Sequence, residues 1–334
     1  MSVFTAVTDP FRRLILRTAG SLRAAVPPVA VEIGLQDVVL ARVRRGRRSA
    51  ILEALESRPL TAPSAEGGSS DEADLPAADV SALLRELFAA SRTRPGKLSL
   101  VLPDNLAKVS VLPLPERPTS ARQLAEMVRF KMRRSVPFRL DDAAIAHQLL
   151  PDDGGEAAVL VAVMQRSVLG PYERMLGDLG ARPGMVGLAS VHLLNLLREP
   201  LARASETADA ALLNCTPAYF SFLLVRRGRL IFFRCKPYSS PDNLETTTEI
   251  MARELTTSFS YYEEKLAGRG IATAIIRTVA QPVDEVAAVL SRLGVASVEP
   301  IDLTPFVSPP EGKLLDPSRM HRAAPAIAAA VGGW

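Results

Sequence analysis

The chain has 334 residues, 48% of them hydrophobic and 23% charged, with a net charge of +4. That length suits two core-forming lobes, and no run reaches the roughly 18 uninterrupted apolar residues of a membrane span. Mild basicity with 5% aromatic content argues against the basic, aromatic-interleaved face of a nucleic-acid binder, and the two cysteines, Cys215 and Cys235, argue against a disulfide framework.

Two cysteines fit a reducing compartment, so the expectation is a cytoplasmic protein. Residues 11–23 carry arginines where the apolar core of a signal peptide would sit, so none is expected. Residues 10–25 have helical spacing: Phe11, Leu14, Ile15 and Leu22 lie broadly on one side, with Arg12, Arg13, Arg17 and Arg23 filling the rest. This predicts an N-terminal basic helix within 1–27, docked on the protein itself or lying on a membrane surface. Strands follow at 29–33, 38–44 and 50–57, with a tip at Arg45-Gly46. Residues 61–78, rich in Ser, Gly, Pro and acids, read as a surface loop. A helix at 80–91 and a buried strand at 98–102 complete a first lobe, 28–105.

Between 106 and 186 the order changes. A strand at 108–114, an amphipathic helix at 120–135, strands at 143–150 and 157–163, a helix at 167–179 and a strand at 183–188 follow one another. This β-α-β-β-α-β order predicts an inserted split-βαβ subdomain. A return helix at 191–197, within 187–207, precedes a second lobe over 208–319. That lobe holds a hairpin block at 210–237, a helix at 246–266, a strand at 273–277, a helix at 283–293 and a strand at 298–300. The apolar, Ala-rich residues 321–331 predict a final helix, within 320–334, packing back on the body.

Two segments match in layout, VEIGLQDVVLARVRRGR over 31–47 and LNCTPAYFSFLLVRRGR over 213–229. Each is strand, tight turn, strand and an Arg-Arg-Gly-Arg tip, and aligning the tips gives one offset, 228 − 46 = 182. The same offset sets Glu32 on Asn214, Gly34 on Thr216 and Asp37 on Tyr219. Two such units imply related lobes with a cleft between them. In such a cleft the turns can aim backbone N–H groups at phosphates and flanking carboxylates can hold magnesium through water.

Other constellations carry less. His147, His192 and His321 are far apart and neither cysteine completes a metal-ligand pair with them, so no metal site is expected. Adjacent Asp141-Asp142 and Glu263-Glu264 point apart rather than flank one substrate, and Tyr261-Tyr262 reads as half core and half surface.

At the repeated units the chain resembles PilM, the actin-like family of type IV pilus assembly related to the cell-division protein FtsA. Four stretches carry the resemblance: VAVEIG at 29–34; LVLPDNLAKVSVLPLP (100–115) through FKMRRSVPFRLDDA (130–143); AVLVAVMQRSVLGPYERMLGDLGARPGMVGLAS (158–190); and ELTTSFSYYEEKL (254–266). It implies an α/β, two-lobed actin-like (ribonuclease H-like) fold, with 28–105 as subdomain 1A and 106–186 as the inserted 1C-like subdomain.

The resemblance also implies a nucleotide pocket, and the sequence departs from it at each contact region. The first turn keeps Glu32 and Gly34, but Leu35, Gln36 and Asp37 follow where small hydroxyl residues are expected. At the second turn Asn214-Cys215-Thr216 replaces an Asp-x-Gly. Thr216 brings a β-carbon where phosphate approaches the backbone, and a β-branched residue disfavours positive φ. The strand at 274–276 leads into Arg277-Thr278-Val279-Ala280 rather than Gly-Gly. These residues (Glu32, Gly34, Leu35, Gln36, Asn214, Thr216 and Arg277) are expected to form a vestigial site, with no catalytic residue and no required cofactor, ATP and Mg²⁺ being the alternative of a working ATPase. The implied partner is the N-terminal tail of a PilN-like inner-membrane protein, bound between the first lobe and the inserted subdomain around Val136, Pro137 and Phe138, alongside other pilus assembly proteins. Nucleic acid is not expected, and the membrane is met only peripherally through partners.

Overall fold

A computed structural model describes residues 26–46, 49–60, 78–151, 156–238, 245–279, 281–310 and 314–332. The expected helix over 10–25 and all but the last residue of the 61–78 loop lie outside the described residues.

Three strands open the described chain: β1 (Val29–Ile33), β2 (Asp37–Arg45) and β3 (Ala50–Pro59), each antiparallel to the next. Helix α1 (Ala78–Ala90) crosses over them to β4 (Lys97–Leu102), parallel to β1 on its other side. A parallel neighbour requires such a crossover, and Leu84 and Leu87 bury the helix against the sheet.

Next come β5 (Lys108–Pro113), α2 (Ala121–Met132), β6 (Ala143–Leu149) and β7 (Ala158–Gln165). The strands form an antiparallel sheet in the order β5-β7-β6. Alternation along β7 divides its side chains. Val159, Val161 and Val163 join Leu124, Val128 and Met132 of α2 in one core, while Leu160, Ala162 and Met164 join the core of the first lobe. A strand covered on both faces reads as one unbroken apolar run, as this one does.

The chain then forms α3 (Arg166–Asp178) and β8 (Arg182–Leu188). The β-α-β-β-α-β order is as expected, but its last strand lies elsewhere: β8 pairs in parallel with β4. Val186 and Leu188 are drawn into the first-lobe core, leaving a three-stranded inserted sheet.

Helices α4 (Ala189–Leu196) and α5 (Arg198–Ala204) lead into β9 (Asp209–Cys215), β10 (Tyr219–Arg226) and β11 (Arg229–Pro237). Helix α6 (Thr247–Lys265) starts at a capping box in which Thr246 and Glu249 satisfy each other's backbone N–H groups. Strand β12 (Ile271–Thr278), α7 (Val283–Arg292) and β13 (Ser297–Pro300) finish a sheet ordered β11-β10-β9-β12-β13.

Beyond β13 the chain returns to the first lobe earlier than the 208–319 boundary implies. Strand β14 (Val307–Ser308) pairs with β3, giving a sheet ordered β14-β3-β2-β1-β4-β8. Leu303 and Val307 already belong to the first-lobe core. The expected final helix forms in two pieces, α8 (Pro317–Arg322) and α9 (Ala324–Val331). Every residue of α9 is buried, against β1, β2, β4 and α4, where alanines permit close approach.

The 182-residue offset survives in three dimensions. It carries the end of β1, Ile33, onto the end of β9, Cys215, and the start of β2, Asp37, onto the start of β10, Tyr219. A bulge interrupts the second hairpin at matching places, between Arg42 and Val43 and between Leu224 and Val225. The lobes are also joined by packing. Along β9, Ala210 and Leu212 belong to the first-lobe core, whereas Ala211, Leu213 and Cys215 belong to the core under α6 and α7.

Candidate functional site

The two turns of the repeat face each other across the junction of the lobes. In the first, the Gly34 N–H donates to the Asp37 carbonyl at 2.9 Å; in the second, the Thr216 N–H donates to the Tyr219 carbonyl at 2.9 Å. A β-carbon on Gly34 would sit 3.0 Å from both the Asp37 carbonyl and its Oδ1, so close packing is what requires glycine there. The expectation tied to positive φ is corrected: neither Gly34 nor Thr216 adopts it. Thr216 closes its own turn instead. Its hydroxyl donates to the Tyr219 carbonyl at 2.8 Å and accepts from the Tyr219 N–H at 3.1 Å.

Glu32, Gly34, Leu35, Gln36, Thr216 and Arg277 line one cavity with Asp37, Tyr219 and Arg322. Its volume is about 40 Å³, room for a water molecule or two; small-molecule sites span roughly 300–1,000 Å³. Arg277, 4% exposed, extends from the end of β12 into this space. Its Nη1–H donates to Asn214 Oδ1 at 2.8 Å and its Nε–H to the His321 carbonyl at 3.2 Å. Its Nη2 also donates to the Arg322 carbonyl and lies 3.9 Å from Glu32 Oε1. One guanidinium thus ties the second lobe to β1 of the first and to the returning helix α8. The fork of donors on a planar cation suits this arrangement.

Behind Arg277 lies a polar network that sequence reading missed. Asn214 Nδ2 donates to Ser190 Oγ at 3.0 Å. The Ser190 hydroxyl donates to Asp104 Oδ2, and its backbone N–H donates to Asp104 Oδ1 at 3.0 Å. The Ser221 hydroxyl donates to Asp104 Oδ2 at 2.7 Å, and Tyr219 Oη accepts from the Asp104 N–H at 3.0 Å. All five residues are buried. Buried polar atoms demand partners, and here each lobe supplies the other's. The available signal was Pro103-Asp104-Asn105 at the end of the apolar strand β4, a charge where the core pattern should simply stop.

Burial sets the electrostatics. It pushes the Glu32 carboxyl up to about 7, against the opposing pull of Arg277 and with Asp37 adding to the rise. Burial likewise raises Asp37, with Arg277 and Arg322 opposing it, and raises Asp104 against its hydrogen bonds from Ser190, Ser221 and Asn214.

Outside this cavity lies a groove of about 660 Å³, lined by Leu35, Leu55, Pro59, Pro217, Arg319 and Arg322 among others. A second cleft of about 520 Å³ lies between the rim of the inserted sheet and the second lobe, where Arg229 Nη2 donates to the Glu156 carbonyl at 2.6 Å. Val136, Pro137 and Phe138 line none of these. Val136 and Phe138 are half-buried against the core beneath α2, and Pro137 is exposed.

No protein-family model matches the chain, and no curated protein matches it. Solved structures do. A chain of a PilM–PilN type IV pilus biogenesis complex superposes with a TM-score of 0.72 at 19% identity, covering 92% of this chain and 97% of that one. The fold is actin-like. A Bacteroides thetaiotaomicron protein of actin-like ATPase fold and unknown function gives a TM-score of 0.50 at 10% identity, over 85% of this chain and 93% of that one. Within the actin-like fold, the cavity between the two repeated turns lies where the lobes meet. Among the described residues, no helix is long and apolar enough to cross a membrane.

Proposed function

We propose that this chain is a cytoplasmic scaffold of a type IV pilus or related secretion assembly machine, whose lobes are fastened by their own side chains in place of a nucleotide. The observation that carries the reading is the filled junction: a 40 Å³ cavity occupied at its floor by a guanidinium bonded to both lobes. Magnesium needs carboxylate or water ligands, and Asn214 and Thr216 offer no charge at the second turn. The residues present do not fit a bound nucleotide, so no hydrolytic step is assigned.

The likeness to a PilM–PilN complex supports the choice of machine and of partner. In this reading the chain binds the short N-terminal tail of a PilN-like inner-membrane protein and meets other assembly proteins and the membrane through it. The half-buried Val136 and Phe138 and the exposed Pro137 mark the neighbourhood of the inserted subdomain where that tail would lie. The test is a pull-down of the full chain against N-terminal tails of inner-membrane proteins encoded beside it. Capture of one tail, lost in Phe138→Ala, is expected; no capture of any tail overturns the partner.

A nucleotide-binding reading has one observation in its favour, the 660 Å³ groove beside Asp37, Arg319 and Arg322. Calorimetry with millimolar Mg-ATP separates the two. Clear heat that vanishes in Glu32→Ala would establish a working pocket, whereas no heat is expected here.

A further inference from the structure

Helix α2 buries Leu124, Val128 and Met132 and turns its other side outward. On that side Phe130 is 77% exposed, a large apolar ring turned to solvent. Arg133, the C-cap three residues further on, follows the same face, Arg134 stands in the turn just beyond it, and both are exposed. Lys131 lies beside them, half-buried along its stem. Among the described residues none of these three cations forms an ion pair. Nearby acids are already engaged: Asp141 holds Arg129 at 2.5 Å and faces Arg139 at 3.9 Å, and Glu126 pairs with Arg122 at 2.9 Å. The end of the helix is therefore a knob of one exposed aromatic ring among three cations without an ion pair, Lys131 standing at the edge of the 520 Å³ cleft.

We propose that this knob, Phe130 with Lys131, Arg133 and Arg134, docks on an anionic lipid surface. A peptide partner would need a groove to bury the ring, and Phe130 lines none of the cavities described above. A bilayer interface needs no groove: it deforms around a single ring, which settles at headgroup level while cations meet lipid phosphates. Each basic side chain at such a surface contributes roughly fivefold to partitioning, and salt screens the effect. One ring and three cations give weak, reversible attachment, the combination of two modest signals that peripheral anchoring requires. The proposal stands apart from the tail-binding reading, because it needs no protein partner.

The experiment is flotation of the full chain with vesicles of phosphatidylcholine alone or mixed with phosphatidylglycerol. Flotation with the mixed vesicles only, reversed by high salt, is expected. Charge reversal in K131E/R133E/R134E should lower the partition coefficient by more than about 100-fold, roughly fivefold for each cation lost before any repulsion, and Phe130→Ser several-fold, with an unchanged melting temperature in R133E/R134E and Phe130→Ser, whose side chains are exposed. A F130W/W334F variant should show a blue-shifted emission on binding. Residues 10–25 are also basic, so R12E/R13E/R17E is the control and should float like the native chain. Loss of flotation in that control with the knob intact, equal flotation after charge reversal at the knob, or no flotation of the native chain would each overturn the proposal. So would capture of an acidic protein by the knob without vesicle binding.

Discussion

The two repeated units match in register, bulge and sheet order, yet their turns are built from opposite materials. The first turn keeps a carboxylate at Glu32, another at Asp37 and a glycine at Gly34. The second has Asn214, Thr216 and Tyr219 at those places and adds Arg277 from the neighbouring strand. One side of the junction offers acceptors, the other donors and a cation. Each turn closes on itself, through Gly34 to Asp37 and Thr216 to Tyr219, and Arg277 is the residue that reaches from the second to Glu32 of the first. The two copies of one layout thus carry different side chains at matching places, and Arg277 bridges from one lobe to the other.

Arg277→Ala attacks that joint directly and should have the largest effect. It strands Asn214 and two backbone carbonyls and removes the cation that opposes the rise of Glu32; each buried acceptor left without its donor costs about 1–3 kcal/mol. Urea denaturation should read this as a lower midpoint. Arg277→Lys should recover little, since an ammonium cannot reproduce the forked bonds. Full stability in Arg277→Ala would mean that packing alone holds the lobes.

Glu32→Gln probes the acceptor side and should act in the opposite direction. The folded chain holds a proton on Glu32 up to about pH 7, whereas the unfolded carboxyl releases it near 4.5. Between those values stability falls as pH rises, and above them the full cost remains, on the order of 3 kcal/mol. Gln mimics the protonated form and can still accept the Ala326 N–H, which meets Glu32 Oε2 at 3.2 Å. The variant should therefore melt higher than the native chain at about pH 8 and equal it near pH 4. A native chain whose stability does not decline across this window would show that Glu32 stays ionised.

The turns themselves can be compared with two smaller changes. Gly34→Ala forces a β-carbon against the Asp37 carbonyl and carboxylate and should cost about 1–3 kcal/mol, as overpacking does. Thr216→Ala removes a hydroxyl that both donates and accepts, and should cost about 1 kcal/mol. Thermal melts of the pair rank them. A larger loss at Thr216 would mean that the second turn depends on its side chain more than the first depends on close backbone packing.

Much of this fold was legible because its signals are local. Period-two apolar runs mark the strands, Thr246 and Glu249 announce α6, and the Arg-Arg-Gly-Arg tips reveal the offset. The placement of β8 and β14 was not legible, because a strand's own pattern does not name its neighbour. Val186 and Val307 enter the first-lobe core through pairing with β4 and β3, partners that lie far away in sequence. The site divides in the same way. Glu32, Gly34 and Thr216 could be picked out at the turns, whereas Asp104 and Ser190 meet across 86 positions and no spacing rule connects them. Arg277 stands out in the sequence only as a departure from Gly-Gly; its reach to Glu32 and α8 depends on how the lobes close.

Helix α9 has a consequence for how the molecule is made. Its eight residues are wholly buried against β1, β2 and β4, and Ala326 bonds Glu32 across 294 positions of chain. On the ribosome, therefore, β1, β2 and β4 wait, one face uncovered, until the chain has been made through α9. Contacts of such long separation close slowly, and exposed sheet faces attract chaperones or aggregate. Among the described residues, the core of the second lobe under α6 and α7 is built from the lobe's own chain, from Ala211 to Val298. Its fold can form first and offer the returning chain a finished surface.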